Sequence, residues 1–123
     1  MIPSIRTSDV PAAVDFYTSR LGFEVARSSE GNVALTFGEQ RLMLEAAGEF
    51  YSPEYNEAIR SRLGNSSPHA LYVEAPELEQ YYEQVRAVGV EVVDPLEPRP
   101  WGQSEFTVAD GDGNWLTFWT ATS

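Results

Sequence analysis

The sequence predicts an α+β fold made of two consecutive βαβββ modules. One observation is the run at residues 101–119, WGQSEFTVADGDGNWLTFW, where two amphipathic strands flank an aspartate- and glycine-rich turn. Another is that the order strand, helix, three strands occurs twice. The third is a register, because placing Gly22 on Gly89 also places residues 23–25 (Phe-Glu-Val) on residues 90–92 (Val-Glu-Val).

The first module is predicted within residues 1–47, beginning with a strand over residues 2–7. Asp9 is a favourable helix N-cap, and Pro11 suits the first turn because its missing N–H would be unpaired there. Val10, Val14, Tyr17 and Leu21 recur at helical spacing, and Gly22 ends the helix. Three further strands are predicted over residues 23–27, 32–37 and 41–46.

The second module is predicted within residues 68–123, after a linker that contains a short helix at residues 54–63. A strand at residues 69–73 precedes a helix that begins at Pro76 and ends at Gly89, with a buried stripe of Leu78, Tyr81, Tyr82, Val85 and Val88. A strand at residues 90–93 and a proline-rich connection at residues 94–100 lead into the aromatic hairpin. Residues 1–123 are therefore predicted to form a single domain of two modules.

One module cannot cover both faces of its own sheet. We therefore expect the two modules to lie side by side as a curled mixed sheet around a shared cleft, with the helices outside. In the hairpin, tryptophans lie on one strand face, while Leu116 and Phe118 lie on the other and require a helix behind them.

Composition narrows the classes of function. The chain has 123 residues, 42% of them hydrophobic, which predicts a packed globule. The absence of cysteine excludes disulfides, thiolate catalysis and thiolate metal sites. A net charge of −11 opposes binding to nucleic acid or to anionic membranes and favours a cationic partner. Residues 1–4 show no secretory pattern, and a cytoplasmic location is expected.

The chain resembles the vicinal oxygen chelate superfamily, which includes glyoxalase I, extradiol dioxygenases and bleomycin-resistance proteins. The resemblance is carried by residues 9–17 (DVPAAVDFY), by Leu21-Gly22-Phe23, by Trp101-Gly102 and by the turn at residues 110–114 (DGDGN). Gly111 departs from the proline that is usual in the superfamily's Asp-Pro-Asp-Gly turn. The resemblance implies the glyoxalase/bleomycin-resistance fold over essentially the whole chain.

The resemblance also implies where a metal would bind in the superfamily's enzymes, on the first and fourth strands of each module. Our register maps those positions to Ile2, Glu45, His69 and Thr117, of which only Glu45 and His69 carry typical metal ligands. His69 is the only histidine in the chain. We therefore expect no metal and no other cofactor, vestigial positions at Glu45 and His69, and no assigned catalytic residue.

Strand alternation then defines the candidate ligand site. Ser4, Met43, Leu71, Trp115 and Trp119 share the inner face with those four positions, whereas Tyr72, Leu116 and Phe118 face the helices. Trp101, on the loop before the seventh strand, and Tyr51 and Tyr55, in the linker, are candidates for the rims. The predicted ligand-binding residues are Met43, Glu45, His69, Trp101, Trp115, Thr117 and Trp119.

The leading functional hypothesis is a metal-free, homodimeric protein that sequesters a small cationic aromatic molecule, as the resemblance implies for bleomycin-resistance proteins. The alternative is a glyoxalase-like lyase or isomerase, or a dioxygenase-like enzyme, with an incomplete metal site. A third possibility is a domain whose own tryptophans fill the cleft. Glu45 and His69 could also form a hydrogen-bonded pair in the core or serve together as an anchor for a ligand.

Overall fold

The structure is a computed structural model that describes residues 2–29, 31–46, 54 and 71–122. The chain divides into two compact units, Met1–Asn65 and Ser66–Ser123, and each contains one βαβββ module. The predicted α+β class and the repeated element order are confirmed. The single domain formed by both modules stays a prediction. The linker helix predicted at residues 54–63 lies outside the described residues except for Glu54.

The first module is a four-stranded sheet in the order β1-β4-β3-β2, in which β1 is parallel to β4 and the other neighbours are antiparallel. Its elements are β1 (Ser4–Thr7), α1 (Val10–Asp15), a π-helical segment (Phe16–Arg20), β2 (Glu24–Ser29), β3 (Asn32–Phe37) and β4 (Gln40–Ala46).

The local signals of the first helix act as predicted. Asp9 Oδ1 accepts a hydrogen bond from the Ala12 N–H at 3.1 Å, which caps α1. The chain continues through a π-helical segment, whose Thr18 Oγ1 donates to the Val14 carbonyl at 2.7 Å. Gly22 then adopts a φ of 80°, the left-handed conformation that ends the helix.

The second module repeats the arrangement in the order β5-β8-β7-β6, with β5 parallel to β8. Its elements are β5 (Leu71–Glu74), α2 (Leu78–Ala87), β6 (Val92–Arg99), β7 (Gln103–Ala109) and β8 (Trp115–Ala121). The predicted hairpin turn is confirmed, since Asp110 Oδ1 accepts from the backbone N–H groups of Asp112 at 2.9 Å and Asn114 at 2.8 Å.

The prediction of a proline-rich connection at residues 94–100 is wrong, because most of that segment belongs to β6. The strand tolerates Pro95 and Pro98 because β6 lies at the edge of the sheet. No further strand pairs with its outer side, so a missing N–H there removes no hydrogen bond between strands. Its register against β7 shifts between Val92 and Asp94 and again between Asp94 and Glu97. At each of these bulges β6 has one residue more than the facing stretch of β7.

Each module buries the sheet face that its helix covers. In the first, Leu35, Leu44 and Leu21 are fully buried, and the rings of Tyr17, Phe23 and Phe37 pack edge to face or tilted in sequence. In the second, the Tyr81 ring lies 4.9 Å from Phe118, and the Tyr82 ring lies 4.8 Å from Phe106. The helix required behind Leu116 and Phe118 is therefore present.

Val88, predicted in the buried stripe, is instead 45% exposed, because α2 ends at Ala87 and the chain turns away at Gly89.

Across the part of the chain that the structure describes, no helix is long and apolar enough to span a membrane.

Candidate functional site

The sheet face that is turned away from the helix is called here the distal face. It carries five of the predicted site residues, Met43 and Glu45 in the first module and Trp115, Thr117 and Trp119 in the second. On β8, Leu116 and Phe118 have no exposed surface and face α2, whereas Trp115 and Trp119 are half-buried and lie on the distal face with Thr117. The alternation predicted for this strand is confirmed.

A buried hydroxyl pair lies at the centre of the second module's distal face. Thr117 is the register partner of Thr107 on β7, and the two Oγ1 atoms are 2.7 Å apart, so one hydroxyl donates to the other. Both threonines are at most 9% exposed. Since each hydroxyl has a partner, this pair is a satisfied polar contact at a position where metal enzymes of the superfamily would carry a ligand.

Glu105 is a buried carboxylate on the same face. It was not among the predicted site residues. It is 7% exposed and is the register partner of Trp119. Its Oε2 accepts from Gln103 Nε2 at 2.8 Å, and its Oε1 lies 3.8 Å from Arg99 Nε. Alternation could have identified it, because Glu105 shares its strand face with Thr107 and Ala109, whose partners are Thr117 and Trp115.

Arg99 gathers three carboxylates at this edge of the sheet. Its Nη2 lies 2.7 Å from Asp94, its Nη1 lies 3.5 Å from Glu97, and its Nε faces Glu105. Three carboxylates around one guanidinium leave this cluster with an excess of negative charge. Two of the three carboxylates, Asp94 and Glu97, come from the segment that was predicted to be a connection.

Trp101 lies in the turn between β6 and β7 and is 62% exposed. The turn is tighter than the long loop predicted, because Arg99 and Gln103 are already register partners and Gly102 has a φ of 89°. Trp101 Nε1 donates to Glu105 Oε2 at 3.5 Å. An exposed indole is thus presented next to a buried carboxylate.

In the first module the distal face carries an ion pair. Arg6 on β1 is the register partner of Glu45 on β4, and Arg6 Nη1 lies 2.7 Å from Glu45 Oε2. The side chains are 27% and 17% exposed. Arg6 was not among the predicted site residues, although it lies two residues after Ser4, on the same strand face, and pairs with Glu45 as Ser4 pairs with Met43. The carboxylate predicted to anchor a cation therefore already has a cationic neighbour.

The facing assigned to the fifth strand is wrong. Tyr72 was predicted to face the helix, but it is 58% exposed and is the register partner of Thr117, while Val73 is buried opposite Phe118. Leu71, predicted on the inner face, pairs with Leu116 and lies on the helix side. A shift of one residue exchanges the two faces of a strand. The strand and the helix-ending glycine are one residue further apart in the second module than in the first. The alignment of Gly22 with Gly89 therefore places the fifth strand one residue out of register.

His69 lies outside the described residues, as do Tyr51 and Tyr55, so their predicted roles stay predictions. The described strands align with an offset of 66 residues, from Arg6 to Tyr72, and not with the 67 that equated Ile2 with His69. Ile2 is 47% exposed.

The donors at the described metal positions do not fit a divalent metal ion. Ile2 offers hydrocarbon, the Thr117 hydroxyl is hydrogen-bonded to Thr107, and the Glu45 carboxylate is paired with a guanidinium. Catalytic divalent sites use three or more imidazole or carboxylate ligands. Among residues 2–29, 31–46, 54 and 71–122, no three histidine or carboxylate side chains are grouped so that they could hold a metal.

A groove of about 770 Å³ lies on the helix side of the second module, between the start of α2 and β6. Glu79 and Tyr82 of the helix, Leu96 and Glu97 of β6, and Ser104 of β7 are among the residues that line it. None of the predicted ligand-binding residues lines this groove. Tyr81 lies on the face of α2 that packs against the sheet. Burial raises the pKa of its phenol, so this side chain is neutral in the packed core.

Comparison with known proteins agrees with this architecture. The model of the Glyoxalase/Bleomycin resistance protein/Dioxygenase superfamily matches residues 3–118. A protein named bleomycin resistance protein from Geobacillus stearothermophilus is 25% identical over 95% of this chain and 92% of its own length.

Solved structures share the fold. The crystal structure of UcmS2 has a TM-score of 0.77 and 26% identity, and the match covers 94% of this chain and 92% of that one. A glyoxalase/bleomycin resistance protein/dioxygenase from Alicyclobacillus acidocaldarius has a TM-score of 0.75 at 19% identity, with 98% and 89% covered. This chain belongs to the Glyoxalase/Bleomycin resistance protein/Dioxygenase superfamily.

Proposed function

We propose that this protein binds and sequesters a small cationic aromatic molecule without transforming it. The observation that carries the proposal is the aromatic distal face of the second module, where half-buried Trp115 and Trp119 flank Thr117. Their partly accessible indoles contrast with Leu116 and Phe118, which have no exposed surface. Apolar aromatic surface with a few polar groups is typical of a small-molecule site.

The charge distribution supports a cationic ligand. The chain carries a net charge of −11, and the Arg99 cluster adds a local excess of carboxylate beside the tryptophans. Negative potential accelerates the encounter with a cation, and tryptophan is the most favourable aromatic face for one. The attraction originates mainly in the second module, because Arg6 compensates Glu45 in the first. Met43, Glu45, His69 and Thr117 remain proposed contacts that shape the site.

Relatives named bleomycin resistance protein, 25% identical over nearly the whole chain, support antibiotic binding as the biological role. The alternative is a lyase, isomerase or dioxygenase-like enzyme of the same superfamily. It draws less support, because the donors at Ile2, Glu45 and Thr117 do not suit the metal on which those reactions depend.

Fluorescence titration with a bleomycin-class antibiotic tests the proposal. We expect saturable quenching of tryptophan emission, with affinity that falls as sodium chloride is raised, because screening weakens charge attraction. Trp119→Phe should weaken binding, whereas Val25→Ala, at an exposed position of the first module, should leave it unchanged. An absence of both quenching and a thermal shift at high micromolar antibiotic would exclude this ligand class. Binding of anionic metabolites instead would favour the enzyme.

We further propose a homodimer, because each module presents two sheet edges, and a two-fold assembly is the commonest way to cover such edges. Light scattering at micromolar concentration should give about twice the chain mass of 13.7 kDa. A mass of one chain would contradict the dimer without affecting the ligand proposal.

Elemental analysis tests the metal-free state separately. We expect far less than one zinc, iron, manganese or nickel per chain after purification without chelators. A stoichiometric metal that is lost in Glu45→Ala or His69→Ala would establish the metal enzyme in place of the binding protein.

A further inference from the structure

We propose that Glu105 is a positioning residue that fixes the orientation of the Trp101 indole and so prepares it for a ligand. The contact between Trp101 and ligand rests on the proposed function, whereas the orientation of the indole by Glu105 does not. The inference starts from the burial of Glu105, which is 7% exposed although it is a carboxylate.

A carboxylate at this depth is stable only if protein donors replace the water that it has lost. Glu105 obtains two hydrogen-bond donors and one ion-pair partner from three residues at alternate positions before it. Gln103 Nε2 lies 2.8 Å from Oε2, Trp101 Nε1 lies 3.5 Å from Oε2, and Arg99 Nε lies 3.8 Å from Oε1. The turn between β6 and β7 is thus organised around one buried charge.

Arg99 compensates Glu105 only in part, because its guanidinium is shared with Asp94 at 2.7 Å and Glu97 at 3.5 Å. The residual negative charge on Glu105 Oε2 attracts the positive N–H edge of the indole. With this edge held inward, Trp101 is still 62% exposed, so the rest of its ring surface is available to a ligand.

The backbone on both sides of Trp101 is also held. The Gly102 N–H donates to the Arg99 carbonyl at 3.3 Å, and the Gly102 carbonyl accepts from the Thr122 N–H at 3.0 Å. Since the backbone is fixed by these bonds, the remaining freedom of Trp101 is rotation of its side chain, and that rotation is what the bond to Glu105 restricts. A preorganised aromatic side chain loses less conformational entropy on binding.

The first test measures the indole itself and needs no ligand. Trp115→Phe combined with Trp119→Phe leaves Trp101 as the only tryptophan of the three. In this background, Glu105→Leu should lower the steady-state fluorescence anisotropy of Trp101 and shift its emission to the red. Glu105→Gln, which keeps one acceptor oxygen, should give a smaller change.

Glu97→Gln is the matched control, because it removes a carboxylate from the same Arg99 but leaves Glu105 Oε2, the acceptor of the indole N–H, in place. Circular dichroism and thermal unfolding show whether each variant is folded. An anisotropy that is unchanged in folded Glu105→Leu, or reduced equally by Glu97→Gln, would overturn the inference.

The second test is a double-mutant cycle with a bleomycin-class antibiotic as the probe. Glu105→Gln should weaken binding roughly three- to tenfold when Trp101 is present and have little effect in Trp101→Ala, since groups that act through one another are not additive. Additive losses would show that Glu105 acts independently of Trp101. If no variant binds the probe, the proposed function fails, and the anisotropy measurement still decides the positioning role.

Discussion

The two modules share one framework and differ in what they place on it. In each, a strand from the hairpin lies between a parallel first strand and an antiparallel third, and corresponding residues meet across the sheet. Arg6, Glu45 and Asn32 of the first module occupy the register of Tyr72, Thr117 and Thr107 in the second. The first set contains an ion pair, and the second contains a hydroxyl pair beside two tryptophans.

The two modules therefore agree on the helix-covered face of the sheet and differ on the distal face. Leu44 and Leu116 occupy equivalent positions and both have no exposed surface, because a helix packs against each. On the other face, nothing in the backbone geometry dictates a side chain. One module can therefore compensate its charge internally while the other accumulates carboxylate and aromatic surface.

The largest expected effect tests the equivalence of the two cores. Leu44→Ala and Leu116→Ala should each lower the free energy of unfolding by about 2–5 kcal/mol, through lost burial and the cavity left behind. Urea denaturation measures both. Val25→Ala, at an exposed position, should change the free energy of unfolding by less than about 0.5 kcal/mol. A large cost at one leucine and a negligible cost at the other would break the equivalence.

The next effect contrasts the polar pairs on the distal faces. Thr117→Val leaves the buried Thr107 hydroxyl without its partner and should cost about 1–3 kcal/mol, most of which the double variant Thr107→Val/Thr117→Val should restore. Arg6→Met should cost about 1 kcal/mol or less, because the ion pair is partly exposed.

Salt separates the two pairs in the same denaturation experiment. Raising sodium chloride should reduce the cost of Arg6→Met and leave that of Thr117→Val unchanged, because only the ion pair is screened. Equal salt sensitivity of both variants would contradict the assignment of charge to one face and neutral hydroxyls to the other.

A smaller effect concerns binding at equivalent positions. Met43 and Trp115 occupy equivalent positions on the distal faces, two residues before Glu45 and Thr117 respectively. Trp115→Ala should weaken binding of a bleomycin-class antibiotic by roughly two- to tenfold, the loss of one stacking contact of about 0.5–1.5 kcal/mol. Met43→Ala should have less effect, and isothermal titration calorimetry compares them. A larger loss at Met43 would place the ligand on the first module.

The smallest effect is a loss of stability at alkaline pH that comes from Tyr81 of the second module. Burial raises the pKa of Tyr81 above that of the unfolded chain, about 10. The stability that the neutral phenol contributes is fully present below pH about 10 and is lost as the pH rises further. The urea midpoint should fall between about pH 8 and about pH 11. This fall should be smaller in Tyr81→Phe than in Tyr72→Phe, the control at an exposed tyrosine.

Much of the fold was determined by the sequence alone, because its signals are local. Asp9 caps a helix through its own neighbour Ala12, and Gly22 and Gly89 take the left-handed conformation that other residues avoid. The turn after β7 folds around Asp110 within five residues. The alternation along β8 separates Leu116 from Trp115 without reference to any other strand. Each of these features depends on residues a few positions apart.

The features that depend on a partner strand became visible only in the folded sheets. Tyr72 points away from the helix because β5 pairs with β8 in a register that its own four residues do not encode. Prolines at 95 and 98 enter a strand because that strand lies at the sheet edge. Arg6 neutralises Glu45, and Arg99 joins Glu105, through contacts across the sheet. With a side-chain period of two, one residue of slip reverses a face, so such contacts follow from the register between strands.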